Sequence, residues 1–129
     1  MSEQTLRSCE RYEIATNRWV LMSSLNVARD CATLGTFNSR YIYAIEGRSS
    51  GEYVKVVERY DVLDEEAGWI LLNPIHGLEQ RESRAASLCV QVNNGELLVA
   101  GGTIWFNGAG YDDVYTFDVN QYLWTNRNI

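Results

Sequence analysis

A repeated pattern along the chain limits its possible folds more than any other feature of the sequence. The stretch ERYEIATNRW at residues 10–19 returns as ERYDVLDEEAGW at residues 58–69, and TFDVNQYLW at residues 116–124 repeats it more weakly. Each copy places an aromatic residue before a tryptophan, and the three tryptophans lie 50 and 55 residues apart. A period of this length indicates one supersecondary unit per repeat, stacked on its neighbours.

A second repeated block lies between the aromatic stretches. ARDCATLGTFNSRYIYAIEG at 28–47 corresponds to SRAASLCVQVNNGELLVAGG at 83–102. Short runs rich in Val, Ile, Tyr and Phe, bounded by Gly, Asn, Asp or Ser, predict strands rather than helices. Asn38-Ser39 and Asn94-Gly95 are predicted as two-residue hairpin turns. The predicted strands are 32–37, 41–45, 54–61 and 69–72, then 85–92, 96–100, 113–118 and from 124 onward.

The order of these features resembles a known motif. An apolar run ending in Gly-Gly, then a Tyr-Asp strand, a tryptophan and an arginine before the next hairpin, looks like the kelch motif of β-propellers. The stretch ERYEIATNRWVLMSSLNVAR is most similar to the kelch domains of BTB-kelch proteins, and the resemblance runs from about Ser8 to the C-terminus. The chain departs from the motif where Glu46 replaces the first glycine, where Phe117 replaces the tyrosine, and in a longer link between Trp69 and Arg84. The resemblance implies an all-β fold of four-stranded antiparallel blades.

The strand count corresponds to about two and a half blades. We expect an N-terminal tail at 1-7, a partial kelch blade at 8-27, and full kelch blades at 28-82 and 83-129. A propeller typically closes with about 4 to 8 blades, so this incomplete ring would leave apolar faces and strand edges uncovered. We therefore expect the chain to be part of a larger kelch protein. A ring completed by other copies or by a partner is the alternative.

Composition and charge narrow the classes of partner. The 129 residues carry a net charge of -6, and no basic cluster is available to neutralise nucleic-acid phosphates or to bind an anionic membrane. No apolar stretch reaches the roughly 18 residues needed to span a bilayer. Three cysteines without a C-x-x-C pair predict reduced thiols. We expect a cytoplasmic protein, with association with the cytoskeleton as a further expectation, and neither nucleic acid nor a membrane as partner.

A G-x-S-x-G pattern at residues 47–51 raises the alternative of a hydrolase. A nucleophile elbow of this kind needs a helix directly after the serine. Residues 54–61 instead continue as a predicted strand. The chain order Ser49, Asp61, His76 mimics a catalytic triad, but the fold that presents such elbows needs a parallel sheet and many more residues. We predict that the chain is not an enzyme.

Metal and cofactor chemistry also find little support in the sequence. His76 is the sole histidine, and no further His or Cys ligands are spaced around it for a metal centre. A copper-radical oxidase of the galactose oxidase type shares the kelch architecture but needs several histidines. A nucleophile pair of Cys89 with a histidine is a further alternative. We predict no cofactor, no metal and no catalytic residues.

The loops carry the candidate partner-binding residues, because a rigid propeller displays its loops on one face. In BTB-kelch proteins the partner site is formed by loops joining a blade's second and third strands and by loops between blades. The resemblance therefore implies a site made of Arg29, Arg48, Ser49, Tyr53, Arg84, Trp105, Phe106 and Tyr111. For the aromatic residues of the loop TIWFNGAGYDD, the alternative is that they cover the neighbouring blade. For Arg29 and Arg84 it is an intramolecular salt bridge between blades.

These observations together predict a noncatalytic protein-protein interaction module that holds a protein or a short peptide at its loop face. The resemblance to BTB-kelch proteins implies a substrate adaptor of a cullin-type ubiquitin ligase. The alternative is a structural scaffold piece of a cytoskeletal or ciliary assembly, where kelch proteins also occur.

Overall fold

The computed structural model describes residues 4–104 and 109–128, and in these ranges the chain is built from β-strands and two short 3-10 helices. The strands are β1 (Cys9–Glu13), β2 (Arg18–Met22), β3 (Thr33–Phe37), β4 (Tyr41–Ile45), β5 (Arg48–Ser49), β6 (Glu52–Tyr53), β7 (Val57–Asp61), β8 (Trp69–Leu71), β9 (Leu88–Gln91), β10 (Glu96–Ala100), β11 (Thr103–Ile104), β12 (Ala109–Gly110), β13 (Val114–Asp118) and β14 (Leu123–Asn126). The 3-10 helices are Glu65–Ala67 and Leu78–Gln80. In the part of the chain that is described, no helix is long and apolar enough to cross a membrane. The predicted all-β class is confirmed.

Two four-stranded antiparallel sheets form the body of the molecule. The first sheet has the order β3-β4-β7-β8, and the second has the order β9-β10-β13-β14. Strands β1 and β2 pair with each other only and are called the N-terminal hairpin. Two small hairpins, β5–β6 and β11–β12, lie in the loops that follow the second strand of each sheet. The described strands form four-stranded antiparallel sheets and no closed barrel, which confirms the predicted arrangement of partial propeller blades. The residue boundaries given above for each blade stay predictions.

The two sheets pack on each other through an aromatic core. Phe117 and Trp124 of the second sheet are buried against Tyr43, Val57 and Leu72 of the first. Burial alternates along β3, as expected for a strand with one face in a core. This packing places the loops at the same end of both sheets beside each other.

A smaller core joins the first sheet to the N-terminal hairpin. Tyr60 and Trp69 are buried with Leu25, and Cys9 and Met22 of the hairpin pack against them. The aromatic pairs of the two sheets therefore each pack on the part of the chain that precedes them, namely the first sheet or the N-terminal hairpin. The N-terminal hairpin, being first, has no such neighbour among the described residues.

Two strand ends share a left-handed backbone. Glu46 and Gly47 have φ of 54° and 100°, and the equivalent Gly101 and Gly102 have φ of 68° and 99°. A Cβ on Gly47 would lie 2.6 Å from the carbonyl oxygen of Asp30, so only glycine fits there. These residues turn the chain out of the sheet. For this reason β4 ends before them, and β7 starts at residue 57 rather than at the predicted 54.

The two predicted hairpin turns differ. Asn38 and Ser39 have φ of 53° and 52°, the conformation of the predicted two-residue turn. Asn94 and Gly95 do not have positive φ, so the same prediction is wrong for them. The side-chain oxygen of Asn93 accepts a 2.8 Å hydrogen bond from the Gly95 amide. This local bond stabilises a longer loop that needs no left-handed residue.

Candidate functional site

Arg29 lies in the connection between β2 and β3, and its side chain packs against strands of the first sheet. Its side chain is buried, and its Nη2 donates a 2.6 Å hydrogen bond to the Glu58 carboxylate. Its Nη1 donates to the carbonyl oxygens of Ala44, Glu46 and Val56. An intramolecular salt bridge, the alternative considered for this residue, is thus present, but within one sheet rather than between two. Arg29 stabilises the strand ends beneath the loops, and its exposure does not support a direct contact with a partner.

Arg48 and Ser49 form strand β5 of the small hairpin above the first sheet. The Arg48 guanidinium is largely buried and its Nε lies 3.2 Å from the Asp30 carboxylate. The backbones of the same two residues exchange hydrogen bonds of 2.8 and 2.9 Å. Ser49 is half-buried and pairs with Glu52 across the hairpin. Arg48 therefore anchors this hairpin and holds Tyr53, on its second strand, beside the second sheet.

Arg84 is the counterpart of Arg29 in the second sheet. Its guanidinium is buried and binds both carboxylate oxygens of Asp113, with Nη2 3.2 Å from Oδ2. It also stacks 3.7 Å from the centre of the Tyr111 ring. This is again a salt bridge within one sheet. The charge of Arg84 is thus paired inside the molecule, and Tyr111 covers it from the loop side.

Tyr111 is fixed at both ends of its side chain. Its ring lies over Arg84, and its hydroxyl donates a 2.6 Å hydrogen bond to Glu82. Burial, together with the hydrogen bond to the Glu82 carboxylate, raises the pKa of Tyr111 to about 12. The phenol therefore stays protonated at physiological pH and presents a rigid aromatic surface.

Tyr53 and Tyr111 come from different sheets and line one cavity, which we call the loop groove. It has a volume of about 300 Å³ and is lined by Tyr53, Lys55, Arg81, Glu82, Ser83 and Tyr111. A second concavity of about 420 Å³ adjoins it and shares Arg81, Glu82 and Tyr111, with Arg84 and Asp113 at its base. Of the predicted residues, the structure brings together Tyr53, Arg84 and Tyr111. Trp105 and Phe106 lie outside the described residues, and their predicted role stays a prediction.

The sequence analysis missed Arg81 and its partner Glu46. Arg81 belongs to the longer link between the sheets, and its Nη2 lies 2.6 Å from Oε1 of Glu46, with both side chains buried. Its guanidinium also stacks 4.0 Å from the ring centre of Trp124. Burial raises the pKa of Glu46, while Arg81 opposes that rise. The sequence signal was the replacement of a motif glycine by Glu46, but only the structure shows which cation it meets.

The three residues of the triad-like order have unrelated partners. The carboxylate of Asp61 is bound by Arg40 at 2.8 and 3.0 Å. The backbone of His76 bridges to Leu123 at the edge of the second sheet. Ser49 lies on the small hairpin β5–β6. Within the described ranges, no group of three or more His, Cys, Asp or Glu residues is placed to hold a metal ion.

Comparison with known proteins gives two informative matches. The chain is 28% identical over 92 residues to Kelch-like protein 15 of Danio rerio, covering 71% of this chain and 14% of that protein. It is 33% identical over 64 residues to Kelch-like protein 15 of Gallus gallus, covering 50% of this chain and 12% of that protein. The chain thus spans only a small part of the length of these relatives, and no family model matches it. Together with the repeated strands, these matches confirm the predicted resemblance: the chain is related to the kelch-like proteins.

Proposed function

We propose that this chain is a noncatalytic protein-interaction module whose loop groove binds a short peptide or an extended segment of a partner protein. The observation that carries the proposal is that Tyr53 and Tyr111, from loops of two different sheets, line one groove. Tyrosine and arginine are the residue types most often found at the energetic centre of protein interfaces. The kelch-like relatives support the same class of function.

The chemistry of the loop groove indicates what it would bind. The Tyr111 ring is held rigid, so little side-chain entropy is lost when a ligand packs against it. Lys55 is exposed at the rim, whereas the charge of Arg84 is already paired with Asp113. We therefore expect an apolar or aromatic side chain of the partner to contact the two tyrosines, with polar groups at the rim.

Three observations on the described residues support the noncatalytic character. Asp61 is engaged by Arg40, and His76 lies in the link beside the second sheet. Burial raises the pKa of Cys89 to about 11, which is the opposite of what activates a thiol nucleophile.

Crosslinking from the loop groove tests this proposal. A photoreactive amino acid is placed at Tyr53 and, as the control, at Asn120 in the β13–β14 turn, which lies at the end of the second sheet opposite the loop groove. We expect adducts with a partner from position 53 that are absent from position 120 and are weakened by Tyr111→Ala but not by Tyr12→Ala. Identical adducts from both positions, or adducts insensitive to Tyr111→Ala, would contradict the assignment of the groove.

We propose more specifically that the module recruits substrates to a cullin-type ubiquitin ligase in the cytoplasm. It is supported by the resemblance to BTB-kelch proteins and by the kelch-like relatives. We expect a cullin to co-purify with the protein isolated from cells, and we expect the partner crosslinked at position 53 to carry less ubiquitin when Tyr111 is replaced. A groove-specific partner without a cullin would refute the ligase role and leave the interaction module intact.

A further inference from the structure

The aromatic pair of each four-stranded sheet packs against the part of the molecule that precedes it in the chain. Phe117 and Trp124 contact Val57 and Leu72 of the first sheet. Tyr60 and Trp69 contact Cys9 and Met22 of the N-terminal hairpin. Cys9 and Val57 stand three residues before the repeat tyrosine, and Met22 and Leu72 three residues after the repeat tryptophan. The same four positions therefore build both interfaces.

The interface has two halves, an aromatic pair and the surface that receives it. Each half also occurs once at an end of the molecule, where no described residue covers it. At one end, Tyr12, Trp19 and Leu21 of the hairpin are exposed. At the other end, the positions equivalent to Val57 and Leu72 are Val114 and Arg127.

A shallow pocket of about 570 Å³ surrounds this second set. Val114 and Arg127 line it together with Leu98, Asp112 and Asn128. Leu98 is the equivalent of Tyr43, which is buried between the sheets. The pocket thus has the same place on the second sheet as the surface that receives Trp124 has on the first.

We propose that a second copy of this chain stacks head-to-tail on the second sheet, with its Trp19 ring in the pocket formed by Leu98, Val114 and Arg127. The internal interface is the precedent, because the chain already buries Trp124 on the equivalent surface of its own first sheet. An exposed apolar face rimmed by polar residues is typical of an interaction site.

Charge and ring chemistry agree with this occupant. Arg81 stacks on Trp124 inside the molecule. Arg127 is half exposed and paired with Glu96 at 3.1 Å, and its guanidinium lines the pocket that would receive the Trp19 ring. Glu10 lies on the same outward face of the hairpin as Tyr12, so the face that carries Trp19 also carries a carboxylate. The contact is independent of the loop groove and of any partner bound there.

The geometry also allows the stack to end. Each copy contributes about two and a half blades, namely the two-stranded hairpin and the two four-stranded sheets. Two copies provide about five, which is within the range of about 4 to 8 at which propellers close. A head-to-tail junction that closes after two copies gives a dimer with two identical interfaces.

Light scattering of the purified chain over a dilution series tests this inference. We expect a mass that rises with concentration to twice the 14.7 kDa of one chain. Trp19→Glu removes one half of the junction, and Leu98→Glu removes the other, so each variant alone should be monomeric. Arg127→Glu, at an exposed position, is the second variant for that half should Leu98→Glu fail to show a native near-UV circular dichroism spectrum.

Mixing the variants gives the decisive result. Trp19→Glu keeps an intact pocket and Leu98→Glu or Arg127→Glu keeps an intact tryptophan face, so an equimolar mixture should recover one junction and form a 1:1 pair. A wild-type chain that stays monomeric at all concentrations would overturn the proposal. So would a dimer that is insensitive to Trp19→Glu, or a mixture of the two variants that does not associate.

Discussion

The N-terminal hairpin and the second sheet contain equivalent aromatic pairs, Tyr12–Trp19 and Phe117–Trp124, in two different environments. The ring centres of Tyr12 and Trp19 are 5.3 Å apart with planes at 52°, and those of Phe117 and Trp124 are 5.0 Å apart at 51°. Trp19 is nevertheless 68% exposed, whereas Trp124 is 1% exposed. Pair geometry is thus independent of burial in this molecule.

This difference separates what the hairpin alone determines, the contact between the two rings, from what tertiary packing determines, the burial of the tryptophan. In both places the two rings stand directly opposite each other on paired strands, so the hairpin register alone fixes their contact. Burial depends on a neighbouring sheet and on Arg81, which covers Trp124. A cross-strand aromatic pair contributes about 0.5 to 1.5 kcal/mol beyond the area it buries. Most of the stabilisation expected from Trp124 therefore comes from its neighbours.

The largest effect is expected from Trp124→Ala, which should lower the free energy of unfolding by about 4 kcal/mol because it leaves a cavity between the two sheets. Urea denaturation followed by circular dichroism measures it. Trp124→Phe is the matched control and should cost much less, since the indole nitrogen of Trp124 has no hydrogen-bond partner to lose among the described atoms. Equal costs for the two variants would contradict the cavity explanation.

Arg81→Met should lower the free energy of unfolding by about 3 kcal/mol, because it leaves the buried Glu46 carboxylate unpaired and uncovers Trp124. Thermal or urea denaturation gives the value.

A double variant sharpens this test. Glu46→Gly in the Arg81→Met background removes the unpaired carboxylate. It also introduces the residue type that the second sheet has at the equivalent left-handed position, Gly101. We expect it to recover most of the lost stability. If the double variant is as unstable as the sum of the two single variants, the pairing does not explain the cost.

Trp19→Ala should lower the free energy of unfolding of the monomeric chain by no more than about 1.5 kcal/mol, because the side chain is exposed and loses only its cross-strand contact with Tyr12. The measurement is made at dilutions where light scattering gives the mass of one chain. A cost close to that of Trp124→Ala would mean that the hairpin face is covered within a single chain.

A pH-dependent effect on stability concerns Tyr111, an aromatic side chain that stacks on Arg84 rather than on a sheet. Its folded pKa of about 12 lies above the ordinary value of about 10. The folded state thus favours the protonated phenol, and this contribution is fully present below pH ~10 and is lost as pH rises towards ~12. Denaturation at increasing pH should show a loss of stability in this window that Tyr111→Phe lacks.

Much of the fold follows from the sequence, because strand patterns depend on local residue order and the repeat spacing can be read directly from the chain. The strands Tyr41–Ile45 and Glu96–Ala100 have the predicted limits. The left-handed Glu46 could not be predicted, because few residues other than glycine adopt that conformation and a buried pair compensates for it here. The Asn94-Gly95 turn was mispredicted because the Gly95 amide donates a hydrogen bond to the side-chain oxygen of Asn93, which stabilises a different loop conformation.

The candidate site was less predictable than the fold. Loop membership selected Tyr53 and Tyr111, which do share a groove. The same criterion selected Arg29 and Arg84, whose charges are paired inside the sheets. Sequence periodicity shows that an arginine recurs, but it does not show which carboxylate it meets. Arg81 was overlooked because it has no counterpart in the other repeat.

Hydroxyl-radical footprinting of the intact chain, read by mass spectrometry at each tryptophan, tests most directly whether every unit buries its aromatic pair on the unit before it. At dilutions where the chain is monomeric, we expect Trp19 to be oxidised several times faster than Trp69, and Trp124 to be the slowest of the three. Similar oxidation rates at Trp19 and Trp124 would contradict the stacked arrangement on which the loop groove and the proposed function depend.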